Sequence, residues 1–171
     1  MKDMKIYNII FPLWFVLFLP PIILLTLIGN FIIDSLVVIF CFYMYRLSRE
    51  GYELGTFYKN NIVKVWLFGF LGDAIGAAVL FLIQMMTYIF NLKSEWISAA
   101  NFYPFENTIS VTIIIICILI AGVFIFLFNY LFLYKDINNK KLKLNISLTV
   151  ALITMPWTFL VPSKLIYEFF K

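Results

Sequence analysis

The sequence predicts an all-α fold, a polytopic bundle of transmembrane helices with about five spans and a cytoplasmic N-terminus. Hydrophobic residues make up 64% of the 171 residues and charged residues only 13%, whereas soluble domains average about 45–50% and about 25%. The apolar residues also form runs long enough to cross a bilayer. Residues 113–128 are apolar on every face, which favours helices over the alternating strands of a barrel.

The first long apolar stretch must contain a turn. Residues 9–45 include a single charge, and as one helix they would extend about 55 Å, nearly twice the thickness of a bilayer core. Two turn positions are open, Pro20-Pro21 and Gly29-Asn30. A turn at the prolines leaves a first span that is too short, so Gly29-Asn30 is the predicted turn. Pro20-Pro21 then becomes a kink within the first helix.

The whole chain is predicted to be a single integral membrane domain, residues 1–171. Its spans cover approximately residues 9–28, 30–46, 62–90, 108–134 and 144–162, and the last of them contains Pro156. Residues 163–171 mix charged and aromatic side chains. We expect them to extend the fifth helix or to form a short interfacial helix.

Basic residues set the predicted orientation. They cluster at the N-terminus, around the loop after the second span and in the loop after the fourth: Lys2, Lys5, Arg46, Arg49, Lys59, Lys64, Lys135, Lys140, Lys141 and Lys143. Only Lys93, Lys164 and Lys171 remain for the other side. Because basic loops stay in the cytoplasm, the N-terminus is predicted inside. Abundant Ile, Phe, Lys, Asn and Tyr further suggest a bacterial cell membrane.

Composition excludes several kinds of chemistry. The chain has no histidine, which removes Ser-His-Asp and Cys-His mechanisms and His-ligated metals. Cys41 and Cys117 fall inside apolar spans, so no disulfide scaffold is expected. No nucleotide, redox or calcium motif occurs, and neither a cofactor nor a metal is predicted. The net charge of +4 lies in loops that face lipid headgroups, so the expected partners are the bilayer, another membrane protein or a second copy, and not nucleic acid.

Two carboxylates lie within predicted spans, Asp34 in the second and Asp73 in the third. An ionisable side chain at membrane depth is costly and points to function by default. Counted from the inner ends of the two helices, Asp34 is about 18 Å deep and Asp73 about 16 Å. Since the two helices form an antiparallel hairpin, the carboxylates are expected to share one site. Such a pair suits proton transfer or cation binding.

Small and polar residues mark the predicted inward faces. Gly69, Gly72 and Gly76 are expected to allow close helix packing. Gln84 lies on the stripe of Asp73, and Asn30 on that of Asp34, so Asp34, Asp73, Gln84 and Asn30 form the candidate ligand or proton site. The alternative is structural: Asp34, four residues after the predicted turn, would cap its helix, and Asp73 would accept hydrogen bonds across a glycine interface.

Three functions from different classes remain open. The first expectation is an accessory, assembly or interaction protein of the membrane without chemistry of its own. The second is a small transporter, or its membrane subunit, that binds a proton or cation at Asp34 and Asp73. The third is an intramembrane aspartyl protease. Gly69-Phe70-Leu71-Gly72-Asp73 is similar to the Gly-x-Gly-Asp motif of presenilin-like and prepilin peptidases, from which it departs by one inserted residue.

Overall fold

The computed structural model describes residues 22–90, 99–101, 103–135 and 137–162, and this part of the chain is helical throughout, with no strand. The four long helices are α1 (Ile22–Met44), α2 (Leu54–Ile89), α3 (Thr108–Phe128) and α4 (Lys140–Thr154). A π-helical turn, Asn129–Leu133, continues α3. Short 3-10 helices cover Leu47–Glu50, Pro104–Glu106 and Trp157–Leu160.

Four segments in the described part of the chain are long and apolar enough to cross a membrane: Ile23–Met44, Leu54–Ile89, Thr108–Leu133 and Lys140–Leu160. Many large apolar side chains on these helices point outward, among them Leu25, Leu36, Ile116 and Leu152. In water such a surface would be unfavourable, whereas lipid tails accommodate it. The all-helical membrane architecture expected from composition is therefore present. The count of five spans and the side of the N-terminus stay predictions.

The four helices pack as a ring in which each contacts the next. α2 lies against α1 and α3, and α4 lies against α3 and α1. Buried apolar residues form two clusters. One includes Val38, Leu47, Phe57, Tyr134 and Ile146, and the other includes Leu80, Ile114, Cys117 and Phe159. The first cluster lies towards one end of the bundle and the second towards the other.

Both basic loops lie at the same end of the bundle, here called the basic end. The first connects α1 to α2 and the second connects α3 to α4. Phe57 and Tyr134, one from the first turn of α2 and one from the residue after the π-helical turn, stack with ring centroids 6.2 Å apart. Residues from both connections share one buried cluster. The charge pattern seen in the sequence therefore corresponds to one surface of the fold.

The turn predicted at Gly29-Asn30 is wrong, because α1 runs through both residues without interruption. A helix of 23 residues is about 35 Å long and spans a bilayer core by itself. Asn30 does not need a turn to satisfy its polar side chain, since its Nδ2 donates a hydrogen bond to Asp73 on α2. The alternative turn, Pro20-Pro21, and the N-terminal half of the predicted first span lie outside the described residues.

Two other helix boundaries differ from the prediction. α2 begins at Leu54, eight residues before the predicted start at residue 62, because Phe57 packs into the buried cluster at the basic end. α4 begins at Lys140 and ends at Thr154, short of the predicted residue 162. Pro156 ends it, since proline has no N–H to donate to the preceding turn.

Glycines bring α2 and α3 into close contact. A Cβ atom added at Gly72 would overlap the Ile125 side chain, and one added at Gly76 would lie 3.0 Å from the Ala121 Cβ. No side chain larger than hydrogen fits at Gly72 without a shift of α3. Gly72 and Gly76 therefore pack helices as expected, whereas Gly69 faces the Asp34 carboxylate, which would be 3.5 Å from an added Cβ.

A hydrogen bond between α1 and α4 at the basic end gives a first testable prediction. The Tyr45 hydroxyl and the Thr149 hydroxyl are 2.6 Å apart. We expect Tyr45→Phe to lower the free energy of unfolding by about 0.5–1.5 kcal/mol, measured by denaturant titration in mixed micelles. Tyr43→Phe is the control, since Tyr43 is exposed. Equal stability of the two variants would contradict the assigned contact.

Candidate functional site

The site is a cavity between α1, α2 and the segment in which α4 ends, and both span carboxylates line it. It has a volume of about 130 Å³ and is lined by Asp34 and Asp73 together with Asn30, Ile33, Gly69, Ile153, Thr154, Met155, Pro156, Trp157 and Thr158. A second cavity of about 180 Å³ shares Asn30, Ile33, Asp73 and Thr158 with it.

Asp34 is the twelfth residue after the start of α1, close to the helix centre. It is therefore not a helix cap, and the capping alternative is wrong.

Neighbouring helices position the two carboxylates. Asp34 is 3% exposed, and the missing side chain of Gly69 on α2 leaves room for its oxygens. Asn30 Nδ2 donates to Asp73 Oδ2 at 3.3 Å. Asp73 Oδ1 is buried and has no hydrogen-bond partner among the described residues. Both carboxylates line the same cavity, so they belong to one site.

The third wall of this cavity, after α1 and α2, is an interrupted helix. α4 ends at Thr154, and a 3-10 helix resumes at Trp157. Pro156 cannot donate to the Leu152 carbonyl, which instead accepts a hydrogen bond from Trp157 Nε1 at 3.1 Å. The Trp157 backbone N–H donates to the Met155 carbonyl, so the Ile153 carbonyl loses its helical donor. Unwound backbone of this kind occurs in membranes where it lines a cavity or ion site.

The polar residues that line the cavity have side chains with oxygen atoms: Asn30, Asp34, Asp73, Thr154 and Thr158. No lysine or arginine is among the described residues that line either cavity. The two negative charges therefore have no basic partner there, although an uncompensated charge at membrane depth is expensive. In the described part of the chain no three His, Cys, Asp or Glu residues group as a transition-metal site would require. Carboxylate, amide and carbonyl oxygens suit a proton or a hard cation.

The structure brings together three of the four residues predicted as the site. Asp34, Asp73 and Asn30 line the cavity, whereas Gln84 lies further along α2, where its Nε2 donates to Asn101 Oδ1 at 2.7 Å. Sequence reasoning missed the contribution of α4, in particular Trp157 and Thr158. Pro156 was the available signal, because a proline inside an apolar run interrupts the backbone hydrogen bonds at that depth.

Gly69 offers a way to disturb the site without disturbing the fold. In the Gly69→Ala variant the new methyl group would be in ordinary contact with Asp34, so we expect stability to be unchanged or raised by up to about 1 kcal/mol. The methyl would occupy space next to the carboxylate and reduce cation affinity about tenfold, equivalent to about 1.4 kcal/mol. Trp157 fluorescence during cation titration is the measurement.

Gly55→Ala is the matched control for this prediction, since a Cβ at Gly55 of the same helix meets nothing within 4 Å. Cation affinity of the Gly69→Ala variant equal to that of the Gly55→Ala variant would show that the space beside Asp34 is not used.

Compared with protein-family models, curated proteins and solved structures, this chain shows no match. The function is therefore argued from the geometry of the site.

Proposed function

We propose that this protein is a small membrane transporter, or the membrane subunit of one, in which Asp34 and Asp73 bind a proton or a monovalent cation within the bilayer. One observation carries the proposal. Two carboxylates from adjacent helices, that of Asp34 buried and that of Asp73 half-buried, line a single cavity against an interrupted third helix, and no basic side chain lines it among the described residues.

The energetics favour a positively charged occupant. An ionised carboxylate without a partner inside a protein is unfavourable by several kcal/mol, and two that share a site add mutual repulsion. A proton or a cation between them removes much of this penalty. Asn30 uses its Nδ2 towards Asp73, and the neutral residues Asn30, Ile153 and Thr158 are part of the cavity lining.

The other two functions fit this geometry less well. An aspartyl protease needs room for a peptide, but the two neighbouring cavities measure only about 130 Å³ and about 180 Å³, each below the roughly 300–1,000 Å³ of typical ligand pockets. Gly72, part of the segment similar to the peptidase motif, is packed against α3. An accessory role would leave the aspartates as structural groups, yet Asp73 Oδ1 has no partner among the described residues.

Reconstitution into liposomes tests the proposal. Proton, Na⁺ and K⁺ fluxes are followed with a trapped pH dye and radioactive tracers, and Trp157 fluorescence reports binding in the same samples. We expect one of these cations to be bound by the wild-type protein, and binding and any flux to be lost in the double variant Asp34→Asn/Asp73→Asn. Glu106→Gln is the control, because Glu106 is an exposed acid outside the cavity.

Two results would overturn the proposal. One is a wild-type protein that neither carries nor binds any of the three cations. The other is a double variant with the binding and flux of the wild-type protein, which would place the cation elsewhere in the molecule.

A further inference from the structure

A large cavity opens at the basic end, and its floor is a buried tyrosine. The cavity has a volume of about 550 Å³ and is lined by polar side chains from the start of α2 and by aromatic and apolar residues: Gly51, Tyr52, Glu53, Thr56, Phe57, Asn60, Asn61, Lys64, Leu133, Tyr134 and Ile137. Tyr134 is 2% exposed. Its hydroxyl has no hydrogen-bond partner in the described part of the chain, and the residue shares a buried cluster with Cys41.

Two more buried polar atoms lie between this floor and the carboxylate site. Asn129 Oδ1 and Ser147 Oγ belong to fully buried residues and have no partner among the described residues. The antiparallel contact of α3 and α4 fixes their depth. Gly122 lies against Met155 at the carboxylate cavity. Asn129 is seven residues from Gly122 and Ser147 eight residues from Met155, so both lie about two turns nearer the basic end.

A contact between Lys143 on α4 and Tyr130 in the π-helical turn after α3 supports this alignment of the two helices. The Lys143 ammonium lies 4.4 Å above the Tyr130 ring centroid, one turn from Ser147 and one residue from Asn129. Asn129 and Ser147 therefore occupy the same level of the bundle, between the carboxylate cavity and the basic-end cavity.

All four buried polar atoms without a partner in the described residues lie at the Asp73 level or on its basic side: Asp73 Oδ1, Asn129 Oδ1, Tyr134 Oη and Ser147 Oγ. On the other side of the carboxylates the bundle is filled by Leu80, Ile114, Ile118 and Phe159, and the buried Thr87 hydroxyl donates to the Ile83 carbonyl. Among the described residues, the buried polar atoms without protein partners therefore extend from the carboxylates towards the basic end and not towards the opposite end.

We infer that a hydrated path connects the basic-end cavity to Asp34 and Asp73, with Tyr134, Ser147 and Asn129 as its polar lining. Each unpaired buried polar atom would cost about 1–3 kcal/mol, and water is the small molecule that satisfies such atoms inside proteins. The role of this path, which is to admit the cation from the basic end, rests on the proposed function. The presence of water along the path does not.

Thiol accessibility tests the path without any transport assay. In a Cys41→Ser/Cys117→Ser background, Ser147→Cys and Asn129→Cys place thiols on the path. Leu148→Cys and Leu131→Cys place them at similar depth on the exposed, lipid-facing surface. Sealed vesicles are treated with a small cationic thiosulfonate reagent. Two exposed positions identify the side, Ser48→Cys at the basic end and Phe105→Cys at the opposite end.

We expect the two path thiols to react at least about tenfold faster than the two lipid-facing thiols, because a thiol ionises in water and not in hydrocarbon. The reaction should occur from the side on which the Ser48→Cys variant reacts. Equal, slow reaction of the Ser147→Cys and Leu148→Cys variants would show that the path is dry. Reaction only from the side of the Phe105→Cys variant would place access at the wrong end.

The wild-type protein provides a second measurement that needs no substitution. Cys41 and Cys117 are both free and fully buried, but Cys41 shares the buried cluster of Tyr134 at the basic end, whereas Cys117 belongs to the other cluster. Alkylation followed by mass spectrometry should modify Cys41 before Cys117, and the reverse order would contradict the path. Neither test requires flux. A path without water would therefore not contradict the cation site, and a protein that transports nothing would not contradict the hydrated path.

Discussion

Asp34→Asn should make the protein more stable in cation-free alkaline solution and should remove its response to cations. The wild-type carboxylate is 3% exposed, and Asn removes its charge without changing its shape. Each kcal/mol gained raises the midpoint of thermal unfolding by about 2–4 °C in a chain of this size. A stabilising substitution that abolishes binding is expected at a site where function opposes stability.

A bound cation should stabilise the wild-type protein by more than the Asp34→Asn substitution does. A cation present at one hundred times its dissociation constant stabilises the folded state by about 2.7 kcal/mol, which corresponds to about 5–10 °C in the unfolding midpoint. Adding Na⁺ or K⁺ should produce such a shift in the wild-type protein and none in the variant. Lowering the pH should stabilise both proteins, and the variant less, because Asp73 can still bind a proton there. Thermal unfolding in detergent, followed by light scattering and near-UV circular dichroism, measures both effects.

Glu106→Gln is the control for the removal of one negative charge. Glu106 is exposed and lines none of the three cavities described above, so its substitution should change neither the midpoint nor the cation response. If Asp34→Asn instead lowered the midpoint while the cation response persisted, Asp34 would be a structural group and the accessory role would be the better account.

Gly72→Leu should prevent the bundle from assembling. A single Cβ at this position already overlaps the Ile125 side chain, and the Ala121 carbonyl oxygen would lie 3.2 Å from it on the other side. Overpacking by one or two methylenes costs about 1–3 kcal/mol, and Leu adds more volume than that between two helices that cannot separate without losing their contact. We expect loss of the monodisperse species in size-exclusion chromatography and low yield from membranes.

Gly29→Leu is the matched control, since Gly29 is also helical but a Cβ there meets nothing within 4 Å. That variant should be recovered at the wild-type level. Normal assembly of the Gly72→Leu variant would mean that α2 and α3 are further apart than the structure places them.

Sequence reasoning recovered the class of the fold and the pair of aspartates for physical reasons. Uninterrupted apolar runs can only be membrane helices, and two charges in such runs at equal depth on a hairpin tend to meet. The turn at Gly29-Asn30 was wrong because glycine and asparagine were read as turn formers, whereas the Asn30 side chain is satisfied inside the bundle by Asp73. A single sequence contains no information on that distant contact.

The part of α4 in the site was beyond sequence reasoning for a different reason. Pro156 predicts an interruption, but which side chains the interruption faces depends on how α4 packs between α1 and α3. Gln84 is the opposite case, a residue that was predicted in the site but does not line the cavity. It shares a helical stripe with Asp73 but lies eleven residues away along α2, about 16 Å by helix rise, and pairs with Asn101.

Infrared difference spectroscopy tests the central claim most directly, because carboxyl groups that bind a proton or a cation change their C=O and carboxylate stretching bands. Spectra of reconstituted protein are compared between alkaline and mildly acidic pH, and with and without Na⁺ or K⁺. The account predicts a carboxyl band change in the wild-type protein that is absent from the Asp34→Asn/Asp73→Asn double variant. Identical difference spectra for the two proteins under every condition would contradict it.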